Sequence, residues 1–246
     1  MKRWALLSFL MPGLALAQAH MGQIATRDAH ALLWLPDGRI LLGHHDGIQV
    51  SGDGGKSWQD LVRKPNWDAM NLAWDGKRLI VAGHEVYFES NNLRDFRPLK
   101  PSGLSGLDLH GYAVHPQNSL LHYAYEAASG LYMSQDGGKR WSKAPQGSPV
   151  MAVGLDGRLY LAVPGLGLLQ RQGPRLEAIA SPEPEVYVLR VAPDGTLYAG
   201  GKQGLWQRTT SSWKRVAAGS VLALAVNPKN PTQLVWVDSN GRVWRK

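Results

Sequence analysis

The chain has 246 residues, eight histidines, no cysteine and a formal charge of +8. That length suits one large all-β domain. The missing cysteine excludes a disulfide framework and a lipid-bearing cysteine, and the basic residues are scattered (Lys56, Lys77, Arg78, Lys139, Arg140, Lys214, Arg215) rather than run together, which argues against a nucleic-acid track.

Residues 1–19 read as a secretory signal. Lys2 and Arg3 supply the positive end, and residues 4–17 are mostly apolar. Two cleavage sites compete, one after Ala17 and one after Ala19. The stretch is too short and wrongly flanked for a stable spanning helix, and no later run is apolar enough to cross a membrane. Its brevity is bacterial, so the expectation is a periplasmic or secreted monomer whose mature part, residues 20–246, forms a single domain.

From Ala29 one pattern returns: apolar strand, turn, second strand, loop, third strand. The first turn is carried by Pro36-Asp37-Gly38, Asp75-Gly76, Pro116-Gln117-Asn118, Asp156-Gly157, Pro193-Asp194-Gly195 and Pro228-Lys229-Asn230. The third strand opens at Gly47, Glu85, Gly130, Gly167, Gly204 and Gly241, at steps of 38, 45, 37, 37 and 37 residues. Strands are expected over 31–35, 40–43, 79–82, 150–154, 186–191, 221–226 and 234–237, where apolar residues alternate or run together. Trp74, Trp206, Trp236 and Trp244 fall in or beside strands, where packing between repeats is their expected role. Six repeats of about four strands predict an all-β, six-bladed β-propeller. The last repeat is short of an outer strand. The N-terminal segment, at residues 22–26, is expected to supply it and so close the ring, removing exposed sheet edges.

Two stretches share a polar, glycine-rich turn between a strand and a tryptophan. One is Ser51-Gly52-Asp53-Gly54-Gly55-Lys56-Ser57-Trp58; the other runs Ser134-Gln135-Asp136-Gly137-Gly138-Lys139-Arg140-Trp141. The aspartate is short enough to accept bonds from nearby backbone N–H groups, and Gly54 and Gly55 permit positive φ. A degraded copy, Ser90-Asn91-Asn92 followed by Phe96, lies between them.

The first stretch matches in full, and the second matches except at Arg140, the Asp-box or BNR repeat, Ser-x-Asp-x-Gly-x-Ser/Thr-Trp. In that family the box is a structural staple at the rim of propeller blades, remote from any active site. The resemblance therefore implies a folding role for Ser51, Asp53, Gly55, Trp58, Ser134, Asp136, Gly138 and Trp141. Residues 29–246 further resemble secreted BNR-repeat proteins of the sortilin-like and bacterial "glycosyl hydrolase-like" kind. The likeness is carried by His30-Ala31-Leu32, His44-His45-Asp46-Gly47-Ile48 and His110-Gly111-Tyr112-Ala113-Val114-His115-Pro116. Sialidases share the box but also carry a Phe/Tyr-Arg-Ile-Pro motif, which this chain lacks. Photosystem II assembly factors share the repeats too, which makes an assembly role a rival expectation.

The histidines are the strongest pointer to chemistry, and all eight lie at or before residue 122. His30 and His110 each precede their turn proline by six residues, so both sit where an inner strand begins. His44, His45 and His84 fall in the loop between the second and third strands, at the same end of the blade. The propeller topology thus gathers His30, His44, His45, His84 and His110 on one face over the first three blades, with Asp68 as a further ligand-binding candidate. Neutral imidazoles with a carboxylate suit a transition metal, here zinc or copper; Met21 and Met70 would add soft ligands for copper(I). His115 and His122 sit elsewhere in the repeat and read as structural. The first functional expectation is a non-catalytic binding or assembly module of the cell envelope, with a protein or glycan as partner. The second is a glycosidase-like hydrolase using Asp46, Glu85 or Glu126, which needs two carboxyl groups about 5–10 Å apart across a cleft.

Overall fold

The computed structural model describes residues 18–25, 28–210 and 212–246. The expected signal segment up to Ala17 lies outside them. The fold is all-β, six four-stranded antiparallel sheets arranged as the blades of a propeller. Strand β1 (Ala19–Gln23) precedes blade one, which holds β2 (Ala31–Trp34), β3 (Ile40–His44), β4 (Gly47–Ser51) and β5 (Gln59–Arg63). Blade two holds β6 (Asn71–Trp74), β7 (Leu79–Gly83), β8 (Val86–Ser90) and β9 (Arg97–Pro98). Blade three holds β10 (Leu109–His115), β11 (Asn118–Glu126), β12 (Gly130–Ser134) and β13 (Ser142–Lys143). Blade four holds β14 (Val150–Val153), β15 (Leu159–Val163), β16 (Gly167–Gln172) and β17 (Arg175–Ile179). Blade five holds β18 (Val186–Val191), β19 (Leu197–Gly201), β20 (Gly204–Arg208) and β21 (Trp213–Ala218). Blade six holds β22 (Ala223–Asn227), β23 (Asn230–Val237) and β24 (Arg242–Arg245), and its fourth strand is β1.

The second strand of a blade is apolar on both faces because it is covered on both. Ile40 and Leu42 pack toward blade six against Val235 and Val243. Leu41, between them, packs toward blade two against Trp67 and Leu72. All three are fully buried. Trp236 is buried between blades five and six, with Trp244 packed on the same cluster.

The N-terminal strand closes the ring, but it sits earlier than the sequence suggested. It pairs antiparallel with β24 through Ala19↔Arg245, His20↔Trp244, Gly22↔Val243 and Gln23↔Arg242. Of the expected 22–26 segment, Gly22 and Gln23 are the last residues of the strand and Thr26 lies outside the described residues; the strand stops at Gln23 because Ile24 leaves the ladder to enter the core. Its side chain joins Leu32, Trp34 and Val243, and its N–H donates to the Gly241 carbonyl at 2.9 Å.

Both glycine-rich stretches are knit as turns on the face opposite the β3–β4 loop. Asp53 Oδ1 accepts from the N–H groups of Lys56 and Ser57, each at 3.0 Å, and from the Ser51 hydroxyl at 2.8 Å, while its Oδ2 accepts from the Ser57 hydroxyl at 2.6 Å. At Asp136 the Arg140 guanidinium takes the place of the missing hydroxyl, donating from Nε at 2.7 Å. The degraded copy keeps the turn with an amide: Asn92 Oδ1 accepts from the N–H groups of Arg94 and Asp95, both at 2.9 Å.

Candidate metal centre

The start of each inner strand and the loop between its second and third strands lie at one end of the ring. There, four imidazoles and three carboxylates form a continuous cluster over blades one to three. Asp68 is its centre. It is buried, and its Oδ2 accepts from His45 Nδ1 at 2.9 Å, with His84 Nε2 at 3.7 Å; its Oδ1 lies 3.4 Å from His30 Nε2. Asp108 Oδ1 stands between His84 Nδ1 at 2.5 Å and His110 Nε2 at 3.0 Å. Asp28 lies 3.6 Å from His45 Nε2. The rings of His30 and His45 meet edge-on with centroids 4.5 Å apart, and those of His84 and His110 at 4.7 Å.

Backbone packing fixes the central carboxylate. Trp67, next to it in sequence, is buried edge-on against Phe88 and Phe96. On its other side Ala69 is fully buried and its N–H donates to the His44 carbonyl at 3.1 Å. The segment threads between two second strands that carry glycine where it passes. A Cβ on Gly83 would lie 1.8 Å from the Asp68 carbonyl oxygen, and one on Gly43 would lie 2.2 Å from that of Ala69. His110 is aimed by a different device. The β10–β11 register slips between Leu109 and Gly111, and a bulge of that kind re-aims the extra residue's side chain.

The cluster can be read as two three-ligand groups, His30–His45–Asp68 and His84–Asp108–His110, each offering ligand atoms within 4.8 Å of one another. Several contacts inside them lack hydrogen-bond geometry. His30 Nε2, Asp68 Oδ1, His110 Nε2 and Asp108 Oδ1 are buried polar atoms without a hydrogen-bond partner, although they face each other in pairs. Such orphaned atoms are uncommon and point to an unmet partner. A tetrahedral zinc site with bonds of about 2.0–2.1 Å places its ligand atoms roughly 3.3 Å apart, close to the spacing found here. Burial pushes the His30 pKa down, against the opposing pull of Asp68, so the ring is neutral near pH 7 and keeps a lone pair for a metal.

Not every candidate joins. The loops of blades one and two are equally long, two residues each, and His45 takes the same first loop position as His84, while His44 matches the last ladder residue, Gly83. His44 therefore ends the ladder opposite Gly47 and turns inward, where its Nδ1 accepts from the Asp46 N–H at 3.2 Å and burial lowers its pKa. His45 takes the tip instead. Asp46 is spent on the loop, accepting from the Asn66 N–H at 3.1 Å. Glu85 occupies a left-handed turn position at φ 53°. Glu126 is buried and ties Ser105 and Ser129 together, accepting from the Ser129 N–H at 2.8 Å, the Ser105 hydroxyl at 3.1 Å and the Ser129 hydroxyl; the Ser129 hydroxyl bond leads in holding its carboxyl below the usual range. His122 is a buried core residue bonded to the Tyr112 hydroxyl at 2.7 Å and the Ser119 carbonyl at 2.9 Å. Met21 packs in the core between blades six and one, whereas Met70 lines the upper channel with His30 and His110.

Asp28 and Asp108 escaped the sequence reading. The signal for them was present: Asp28-Ala29-His30, Asp68-Ala69-Met70 and Asp108-Leu109-His110 set an aspartate two residues before the same inner-strand position, each about forty positions on from the last.

No protein-family model matches the chain, and no curated protein matches it. Solved structures do. A gluconolactonase from Xanthomonas campestris superposes with a TM-score of 0.74 at 13% identity, over 93% of this chain and 88% of that one. YCF48 bound to D1 peptide gives a TM-score of 0.59 at 13% identity, over 93% and 95% of the two chains. An ancestral GH74 enzyme gives 0.58 at 14% identity, over 91% of this chain and 40% of that one. At such identities the likeness carries the fold alone. The chain is a six-bladed β-propeller in which four histidines and three aspartates gather at one mouth of the ring.

Proposed function

We propose that this protein is a periplasmic or secreted binding module of Asp-box type that holds a transition-metal ion, zinc or copper, over blades one to three. The observation that carries the reading is the pair of facing orphans, His30 Nε2 with Asp68 Oδ1 and His110 Nε2 with Asp108 Oδ1. One cation between each pair would satisfy all four atoms, and neutral imidazole with carboxylate is the donor set such metals take. With only three protein ligands per group, a coordination position is left for a group on a partner protein or glycan. The metal thus acts as the bridge to the ligand in a binding or assembly role. The glycosidase reading is weaker on chemical grounds. Its general acid must stay protonated near neutral pH, whereas Glu126 is held in the opposite direction by its serine bonds.

The test is metal analysis of the tag-free chain after reconstitution with zinc or copper and removal of loose ions. At least one equivalent is expected to remain bound. Asp68→Asn, which keeps the shape but not the charge, is expected to weaken binding beyond the roughly 10–100-fold loss typical of outer-sphere substitutions. Less than a tenth of an equivalent on the unmodified chain would overturn the reading.

A further inference from the structure

The inner strands line two cavities, one toward each end of the ring. On the histidine side the cavity is about 130 Å³. On the turn side it is about 380 Å³, inside the size range of small-molecule sites. The larger cavity is rimmed by one apolar residue from each blade: Pro36, Trp74, Pro116, Leu155, Pro193 and Pro228. No carboxylate lines either cavity, and one side chain reaches both, that of Arg190.

Arg190 lies opposite Tyr198 in the inner hairpin of blade five, three residues before the turn residue Pro193. The same position in the other blades is Leu33, Ala73, Ala113, Ala152 and Ala225. Four alanines around the waist leave room for one long side chain. Among the described residues the half-buried side chain makes one hydrogen bond, from Nη1 to the carbonyl of neighbouring Leu189 at 2.9 Å, and forms no ion pair. The residue lines both cavities of the channel. Burial pulls its pKa down to about 10, so it is still cationic at neutral pH. A charge left unpaired inside a protein is costly, and a planar guanidinium pairs best with a carboxylate, through two parallel bonds.

We infer that the channel is a second ligand site, in which Arg190 pairs with the carboxylate of a small monoacid whose apolar body fills the ring formed by Pro36, Trp74, Pro116, Leu155, Pro193 and Pro228. One guanidinium, with no cluster of basic residues beside it, fits a single negative charge better than a phosphate dianion. The apolar rim fits an aliphatic or aromatic body. The apolar cavity and its opening lie at the end opposite the histidine face, and Arg190, which lines both cavities, stands between the two.

The experiment titrates the full chain calorimetrically with octanoate, acetate and 1-octanol, with EDTA present so that no metal on the histidine face contributes. Octanoate is expected to bind at least tenfold tighter than either acetate or 1-octanol. Arg190→Met is expected to erase the preference for acid over alcohol, and Arg190→Lys to keep part of it. Trp74→Ala should weaken both eight-carbon ligands. Arg190→Met should melt no lower than the parent, since it removes an uncompensated charge; if it fails to fold, the Arg190→Lys ratio and an octanoate-induced rise in the parent's melting temperature carry the test. Absence of octanoate binding at 10 mM, equal binding of octanoate and 1-octanol, acetate binding as tightly as octanoate, or an unchanged preference in Arg190→Met would each overturn the inference.

Discussion

Ile24→Ala tests the closure of the ring at a single side chain. Ile24 is 5% exposed and packs where blade six meets blade one, against Leu32, Trp34 and Val243. Its Cγ1 lies 3.3 Å from where a Cβ on Gly241 would stand, so the contact is close-packed on that side as well. Truncating a buried isoleucine to alanine costs about 2–5 kcal/mol. Ile24 lies just past the end of β1, where the backbone can settle into the gap, so the lower part of that range, about 2–3 kcal/mol, applies. In a domain of this size 1 kcal/mol moves the melting temperature by roughly 2–4 °C, which predicts a fall of about 4–12 °C by circular dichroism. Deleting residues 18–24 should cost more, because it also strips the backbone partners of β24 and uncovers its edge. If Ile24→Ala melts within a degree of the parent, or the truncated chain melts with it, the N-terminal strand does not hold the ring shut.

Gly83→Ala places a methyl group 1.8 Å from the Asp68 carbonyl oxygen. It is expected to destabilise by about 1–3 kcal/mol, as overpacking does, and to lower metal uptake with it; unchanged uptake in a stable variant would show that the glycine does not set the carboxylate. For His122 the pH effect has a definite sign. Burial depresses its native pKa, so the unfolded chain takes up the proton first, at about pH 6.5, and the stability held above that pH is lost as acid is added through the native pKa. The drop in melting temperature below about pH 6.5 should therefore be shallower in His122→Gln, and parallel curves would refute this. Asp53→Ala removes the acceptor for Ser51, Lys56 and Ser57 at once and should lower the melting temperature by a few degrees without altering metal uptake; a loss of metal would mean the box is more than a staple.

The ring was legible because repetition is a strong signal: regular steps between third strands can only be met by equivalent blades, and His30 and His110 share a register for that reason. The fate of neighbouring histidines was not. His44 and His45 differ only in which of them reaches the tip of a loop, and the point where the ladder ends, invisible to hydrophobic periodicity, decides it. Glu126 looked available from its place in the repeat, but two serines, one of them 21 residues earlier in the chain, absorb it. Arg190 gave no signal in one dimension, since its isolation depends on the alanines of four other blades.

The wedge that holds Asp68 has a consequence for how the cluster tolerates change. Its carboxylate is placed by main chain squeezed past two glycines and by a neighbouring indole, not by the imidazoles around it. Removing any one ring subtracts a donor and leaves the anvil standing. Such a site can trade its histidines one at a time, drifting in affinity or in metal preference, without the blades beneath having to be rebuilt.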